Sequence, residues 1–370
     1  MRFPGFIGDW KVKRLEAVAI KIGDGLHGTP SYTDDSEYYF INGNNLVNGQ
    51  IEIYGNTKAV TSEIYLKNNK NLNKNTLLIS INGTIGNIAK YENQKVMLGK
   101  SICYLNFNHN SDFIFFLLNT KSVQDYFISE LTGSTIKNLS LKTIRQTLLS
   151  FPSLPEQEKI AYFLSLIENR ILTQKKIIEQ LETLIRSYRE KLFSQKIRFN
   201  ENGSDFPEWE TKKIKDVLKI GSGRDYKHLD LGNIPVYGTG GVITFVNSFL
   251  YDGETVCIGR KGTIDKPMYF SGKLWTVDTL FYTHSFYNSI PKFIFQLFQT
   301  VNWKEHNEAS GVPSLSKKTI ENLSIIIPSV EEQTKIAYFL SSIDEKIETE
   351  KKILAQYELQ KKYLLANLFA

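Results

Sequence analysis

Lys159-Ile160-Ala161-Tyr162-Phe163-Leu164-Ser165 occurs again, letter for letter, as Lys335-Ile336-Ala337-Tyr338-Phe339-Leu340-Ser341, an offset of 335 − 159 = 176 residues. The same offset carries Leu139-Ser140 onto Leu315-Ser316, Lys142-Thr143-Ile144 onto Lys318-Thr319-Ile320, and Pro152-Ser153 onto Pro328-Ser329. It also carries Glu156-Gln157 onto Glu332-Gln333 and Lys175-Lys176-Ile177 onto Lys351-Lys352-Ile353. An ungapped repeat of this length marks a duplication, so the chain is expected to be two copies of one structural plan.

The repeated stretch opens a long amphipathic helix. From Ile160, mostly apolar residues recur at alternating spacings of four and three: Ile160, Leu164, Ile167, Ile171, Gln174, Ile178, Leu181, Ile185, Tyr188, Leu192. Shifting by 176 gives Ile336, Leu340, Ile343, Ile347, Glu350, Leu354, Tyr357, Lys361, Leu364, Leu368. Both are heptad seams of about four heptads, each with one polar station, Gln174 or Glu350, and Lys361 adds a break in the second. Ser153 with Glu156, and Ser329 with Glu332, have the spacing of a capping box. Pro155 suits the first turn of its helix, and Val330-Glu331 replaces Leu154-Pro155 in the second copy. Each helix is predicted to run roughly 40 residues, about 60 Å. A lone helix with one apolar stripe needs a partner, and the other copy is the obvious one. Similar heads with returning rods predict antiparallel pairing, with Gln174 and Glu350 meeting near a pseudo-dyad and fixing register.

Working outward, each copy begins with an aromatic-proline step and a tryptophan: Phe3-Pro4 then Trp10, and Phe206-Pro207 then Trp209. Mid-copy, an apolar run precedes Gly83-Thr84-Ile85 in one half and Gly262-Thr263-Ile264 in the other. Phe113 to Thr120 resembles Phe293 to Thr300, both reading as aromatic-rich helices. Between these landmarks, short β-branched runs bounded by Gly, Asn, Asp and Thr predict strands joined by turns. Asn200 to Asp205 reads as a polar linker.

Composition bounds the function classes. The chain has 370 residues, 41% hydrophobic and 23% charged, enough for two ordinary domains. No apolar run approaches bilayer length, and the N-terminus lacks signal-peptide character, so a cytoplasmic address is expected. Cys103 and Cys257 suggest neither a disulfide framework nor a zinc site. A net charge of +6 permits nucleic-acid binding without requiring it.

The order of head, long helix, head, long helix resembles the specificity subunit of type I restriction–modification systems. The resemblance spans essentially the whole chain. It is carried by Phe3-Pro4…Trp10, by Asp24-Gly25-Leu26-His27-Gly28-Thr29-Pro30, by Phe151-Pro152-Ser153-Leu154-Pro155-Glu156-Gln157-Glu158-Lys159-Ile160, and by the second copy from Ile327-Pro328-Ser329. It implies mixed α/β (α+β) target recognition domains in two homologous copies, residues 1–152 and 198–328, each followed by a spacer helix, 153–197 and 329–370. The helices would form an antiparallel coiled coil within a pseudo-two-fold repeat that suits the dyad of duplex DNA. It further implies that each head reads half of a split site on double-stranded DNA, and that the helices dock two methyltransferase subunits. Restriction/translocase subunits would join them. S-adenosylmethionine, ATP and Mg would sit on those partners, with none on this chain. A non-enzymatic coiled-coil scaffold with two adaptor heads is the competing reading, separable by salt-dependent, sequence-specific DNA binding.

Catalytic motifs are weak. Gly23-x-Gly25-x-x-Gly28 matches a dinucleotide-binding pattern, but Thr29-Pro30 stands where a helix should run. Gly99-Lys100-Ser101 lacks the upstream glycine of a phosphate loop, Gln94 standing in its place. Asn233-Ile234-Pro235-Val236-Tyr237 lacks the adjacent Asn-Pro of adenine methyltransferases. The chain is expected to be non-catalytic. Candidate DNA contacts are loop residues able to meet phosphates or base edges. In the first head they are His27, Thr29, Tyr32, Lys58, Lys67, Lys70, Ser80, Asn82, Thr84 and Asn87. In the second they are Arg224, Tyr226, Lys227, Tyr237, Thr239, Arg260, Lys261, Thr263 and Lys266, with Arg224, Arg260 and Lys261 the strongest. A solvated surface position is the competing reading for each.

Overall fold

The computed structural model describes residues 2–3, 5–133, 137–201, 204–205 and 207–369. Pro4 and Phe206 of the two aromatic-proline steps, and Asn202-Gly203 of the linker, lie outside them. The chain divides into two units, Met1–Lys175 with Ile353–Ala370, and Lys176–Lys352.

In the first unit, four antiparallel strands lie in the order Lys21–Asp24, Ile102–Asn106, Thr76–Ser80, Ile88–Lys90. Thr76–Ser80 is buried along its whole length, as a continuous apolar run in mid-sheet should be. The aromatic helix Ser111–Leu118 joins Leu77, Ile79, Cys103 and Leu105 in one core through Phe113 and Phe116. A smaller sheet contains Ala59–Val60, Tyr38–Ile41 and Val96–Leu98, the last two parallel. Lys11–Arg14 pairs with Leu148–Phe151, which leads into the first long helix, Leu154–Phe193.

The second unit repeats this plan. Its antiparallel sheet runs Lys219–Ser222, Leu280–His284, Thr255–Gly259, Met268–Phe270. Pro291–Phe298 is the aromatic helix, packing Phe293 and Phe298 with Val256, Ile258 and Trp303. Leu231–Gly238 runs parallel to Lys273–Thr276 but forms a longer hairpin with Gly241–Val246 than anything in the first unit's small sheet. Glu210–Lys213 pairs with Ser324–Ile327 ahead of the second long helix, Val330–Leu368.

Within the first unit, Ile160, Leu164, Ile167 and Ile171 share a core with Leu364 and Leu368 of the second long helix. Lys361, the break in the second seam, is half-buried in ion-pair contact with Glu168, and Lys175 lies 3.4 Å from Glu358. Within the second unit, Ile185 and Leu192 share a core with Ile336, Leu340 and Ile347, and Lys351 pairs with Glu182 at 3.1 Å. Gln174 and Glu350 are both buried.

The capping-box expectation is corrected. The Ser329 hydroxyl does accept from the Glu332 amide at 3.3 Å. The acidic side chains do not turn back to cap. Glu156 and Glu332 are wholly buried and bind Arg2 and Arg198 respectively. A buried carboxylate requires a cation, and that demand outweighs a local capping bond. The adjacent glutamines are buried as well. Gln157 donates to the Pro152 carbonyl and Gln333 to the Pro328 carbonyl, each at 2.9 Å. The repeated Glu-Gln thus fastens each helix start to its own head.

Candidate nucleic-acid interface

In the second unit, a turn closed by the Leu280 amide donating to the Val277 carbonyl at 2.9 Å presents Asp278 and Thr279. The Thr279 carbonyl accepts from the Arg260 and Lys261 amides at 2.8 and 3.3 Å, and the Thr276 carbonyl accepts from the Arg224 amide at 2.8 Å. The Leu315 amide donates to the Arg260 carbonyl at 2.9 Å, and Lys261 bridges Ser314. Three strongly basic candidates therefore stand around one turn. Beside it lies a cleft of about 860 Å³, whose lining includes Ser222, Arg260, Lys261, Asp278, Glu308 and Lys317.

The first unit builds the same frame from different side chains. The Ile102 amide closes a turn on the Gly99 carbonyl at 3.1 Å, presenting Lys100 and Ser101. The Ser101 carbonyl accepts from Ile81 at 2.8 Å, the Leu98 carbonyl from Leu26 at 2.7 Å, and the Ile81 carbonyl from Leu139 at 2.9 Å. Asn82 bridges Asn138 as Lys261 bridges Ser314. By these bonds Leu26 corresponds to Arg224 and Ile81 to Arg260, and by bridge and turn position Asn82 corresponds to Lys261 and Lys100 to Asp278; the bond from the Lys261 amide to Thr279 has no counterpart at Asn82 among the described residues. Next to Asn82 and Lys261, Gly83 and Gly262 have φ of 73° and 93°, a left-handed conformation that favours glycine.

This frame also explains the glycine pattern at residues 23–28. Gly23 pairs with Tyr104 and Gly221 with Tyr282 across the sheet. A Cβ at either glycine would stand 2.7 Å or less from the tyrosine side chain. A Cβ at Gly25 or Gly223 would strike backbone carbonyl oxygens at 2.3 and 1.9 Å. These glycines let a ring and a neighbouring strand approach, and no helix follows them.

The remaining candidates scatter. Ser80 is overturned as a contact: it is fully buried, its hydroxyl donating to the Thr84 carbonyl and accepting from the Asn87 amide, because the turn's own backbone needs it. Asn82 is half-buried and Thr84 exposed, while Asn87 spends its amide group on the Leu46 carbonyl at 2.9 Å. The exposed His27 imidazole pairs with Asp24 at 2.6 Å. Thr29, Tyr32, Lys58 and Lys67 are exposed, and Lys70 is half-buried beside Asn71 and Tyr91. In the second unit Lys227, Arg260, Lys261 and Lys266 are exposed, and Thr263 is half-buried. Tyr226 packs against the Val236–Trp275 cluster. Tyr237 is half-buried, its ring lying on Phe270 at 4.0 Å between centroids, and burial raises its phenol pKa. Thr239, at the hairpin tip, has its hydroxyl 3.7 Å from where a Cβ on Gly262 would stand. Lys100, Asp278 and Lys317 were not selected from sequence, since only the paired turns bring them to the site.

Glu308, in the cleft, is already engaged by the Ser316 amide at 3.1 Å and by the Thr319 hydroxyl, which hold its carboxyl below the usual carboxylate range. Among the described residues the Asp278 carboxylate has no partner, no cluster of three or more His, Cys, Asp or Glu could hold a metal ion, and no helix is long and apolar enough to cross a membrane.

Residues 7–183 and 207–359 each match the type I restriction modification DNA specificity domain. The chain belongs to that family. Among curated relatives, the MjaX putative specificity subunit of Methanocaldococcus jannaschii is 25% identical over 403 aligned positions, covering 96% of this chain and 92% of the relative. The MjaVIII specificity subunit of the same organism is 24% identical over 301 positions, covering 70% and 69%. The crystal structure of a type I restriction–modification S subunit from M. genitalium superposes with a TM-score of 0.73 at 20% identity, over 100% of this chain and 98% of that one. The two matched stretches contain both turn frames.

Proposed function

We propose that this chain is the DNA-sequence recognition subunit of a type I restriction–modification system, each head reading one half of a bipartite site. The observation that carries this reading is the repeated frame: backbone hydrogen bonds correspond in the two heads except at Asn82 and Lys261, whereas the side chains at the exposed stations differ. A common scaffold with divergent contact residues is what reading two different half-sites requires. We take residues 1–152 and 198–328 as the recognition domains, and 153–197 and 329–370 as the spacer helices.

The helices pair as an antiparallel coiled coil in this reading, with Gln174 meeting Glu350 near the pseudo-dyad. Support comes from each unit separately. In both, the leading half of one long helix packs against the trailing half of the other. Helix length then sets the spacing between half-sites. Two methyltransferase subunits dock on the outer helix faces. Within the identical heptapeptide, Ile160, Ala161 and Leu164 and their counterparts are buried by the fold, but Tyr162 and Tyr338 remain 68% and 79% exposed. Packing does not account for keeping that tyrosine in both copies, whereas one partner binding twice does. S-adenosylmethionine, ATP and Mg belong to partner subunits, and the complex works in the cytoplasm on double-stranded DNA.

Exchanging residues 1–150 for those of another family member, followed by methylome sequencing with the cognate methyltransferase, tests the modular reading. One half-site should change while the other half-site and the spacer persist. A change in both half-sites would overturn it.

A further inference from the structure

We infer that Asp278, on the Val277–Leu280 turn, is a specificity-determining residue that accepts a hydrogen bond from an exocyclic amino group, cytosine N4 or adenine N6, in the second half-site. The inference deepens the recognition reading and rests on it. Asp278 is exposed on a turn fixed by three backbone bonds, Leu280 to Val277 and Arg260 and Lys261 to Thr279. Such a turn presents its side chain with little ordering cost. The cleft beside it is rimmed by Arg260, Lys261 and Lys317.

A carboxylate among these cations would be expected to pair with one of them. It does not. The Arg260 guanidinium donates to the Asp278 backbone carbonyl at 3.3 Å, leaving the carboxylate without a partner among the described residues. Against phosphates, an unpaired carboxylate is repulsive and lowers affinity for every sequence. Against a base-edge amino donor it is an acceptor that only some base pairs satisfy. The station itself is a variable one: the equivalent turn of the first head carries Lys100, also exposed, on the same backbone frame. Opposite charges at one structural address indicate side chains that discriminate, since a shared phosphate-binding role calls for a cation in both heads.

The test is Asp278→Asn and Asp278→Ala in the full chain, each assembled with the methyltransferase subunit. Methylation is read on a plasmid library randomised across both half-sites. Discrimination at one position of one half-site should fall about tenfold or more, the size of a lost base-edge contact. The base that the native chain prefers at that position, and the variants do not, distinguishes cytosine from adenine. An unchanged motif, or a uniform gain in affinity with the motif intact, would overturn the inference, because the carboxylate would then only repel phosphates. The recognition reading fails separately if the native complex yields no two-part motif. Circular dichroism melting of both variants checks folding, and Lys100→Asp supplies a second arm that should alter a position in the other half-site alone.

Discussion

Arg198 grips Glu332 with two prongs, Nε donating to Oε1 at 3.2 Å and Nη2 to Oε2 at 2.8 Å, while the Trp209 indole donates to the same Oε2 at 3.0 Å. Arg2 repeats this on Glu156, Nε to Oε1 at 3.2 Å and Nη2 to Oε2 at 3.0 Å. The segment leading into each head thereby closes back onto the helix that leaves it. Parallel, two-pronged geometry is specific to arginine and carboxylate.

Arg198→Ala leaves a buried carboxylate unpaired and should destabilise the second unit by about 3 kcal/mol. Arg198→Lys should recover part of this, since lysine offers a charge without the fork. Arg2→Ala should cost less, as the Arg2 side chain is 35% exposed against 19% for Arg198. Urea unfolding followed by fluorescence measures all three. Equal stability of Arg198→Ala and native protein would remove the pair from the account.

The proposed meeting of Gln174 and Glu350 can be trapped chemically. Gln174→Cys combined with Glu350→Cys should form a disulfide under mild oxidation, because that bond needs Cα atoms about 4.4–6.8 Å apart. Native Cys103 and Cys257 should not compete, being buried with thiols pushed far above their usual pKa by that burial. A band shifted on non-reducing electrophoresis is the expected result. Its absence at this pair, with crosslinking at pairs displaced by a heptad, would place the register elsewhere.

Asp344 accepts from Gln296, which itself accepts from Arg189 at 2.9 Å. Burial raises the Asp344 carboxyl above its ordinary 3.8, outweighing the hydrogen bond from Gln296 and the nearby Arg189 charge. A carboxyl raised in the folded state favours folding when protonated, so its ionised form costs stability as pH rises through the raised value. Asp344→Asn should therefore unfold at a higher temperature than the native chain at pH 7. That advantage should vanish below about pH 3.8. An advantage independent of pH would show that ionisation is not its source.

Arg260→Ala and Lys261→Ala should weaken DNA binding and each reduce the slope of log affinity against log salt by about 1 if the side chain meets a phosphate. Fluorescence anisotropy over a salt series, using duplexes that carry the methylated motif, gives the slopes. Lys121→Ala, an exposed lysine on the helix Lys121–Ser129 of the first head and not a candidate contact, serves as comparison.

Much of the architecture was legible because duplication writes a pattern twice. The heptapeptide located both long helices, and seam spacing identified Ile160, Leu164, Ile336 and Leu340 as buried. Side-chain assignments were less legible. Ser80 looked like a contact because serine in a turn-rich stretch is ordinarily exposed, yet the fold turns it inward to satisfy backbone groups. Glu156 and Glu332 had cap spacing, but their partners lie 154 and 134 residues away. Lys100 and Asp278 share no sequence motif, and only strand register equates them.

Sequence by itself determined that there are two homologous heads and two long amphipathic helices, since repeats, apolar periodicity and helix-start residues are local and survive without coordinates. Tertiary structure decided which exposed residues share a turn, which carboxylates are buried with arginine, and which glycines make room for a tyrosine ring. Those outcomes depend on hydrogen-bond register between strands distant along the chain, and on desolvation that makes a buried charge find a partner wherever the fold brings one.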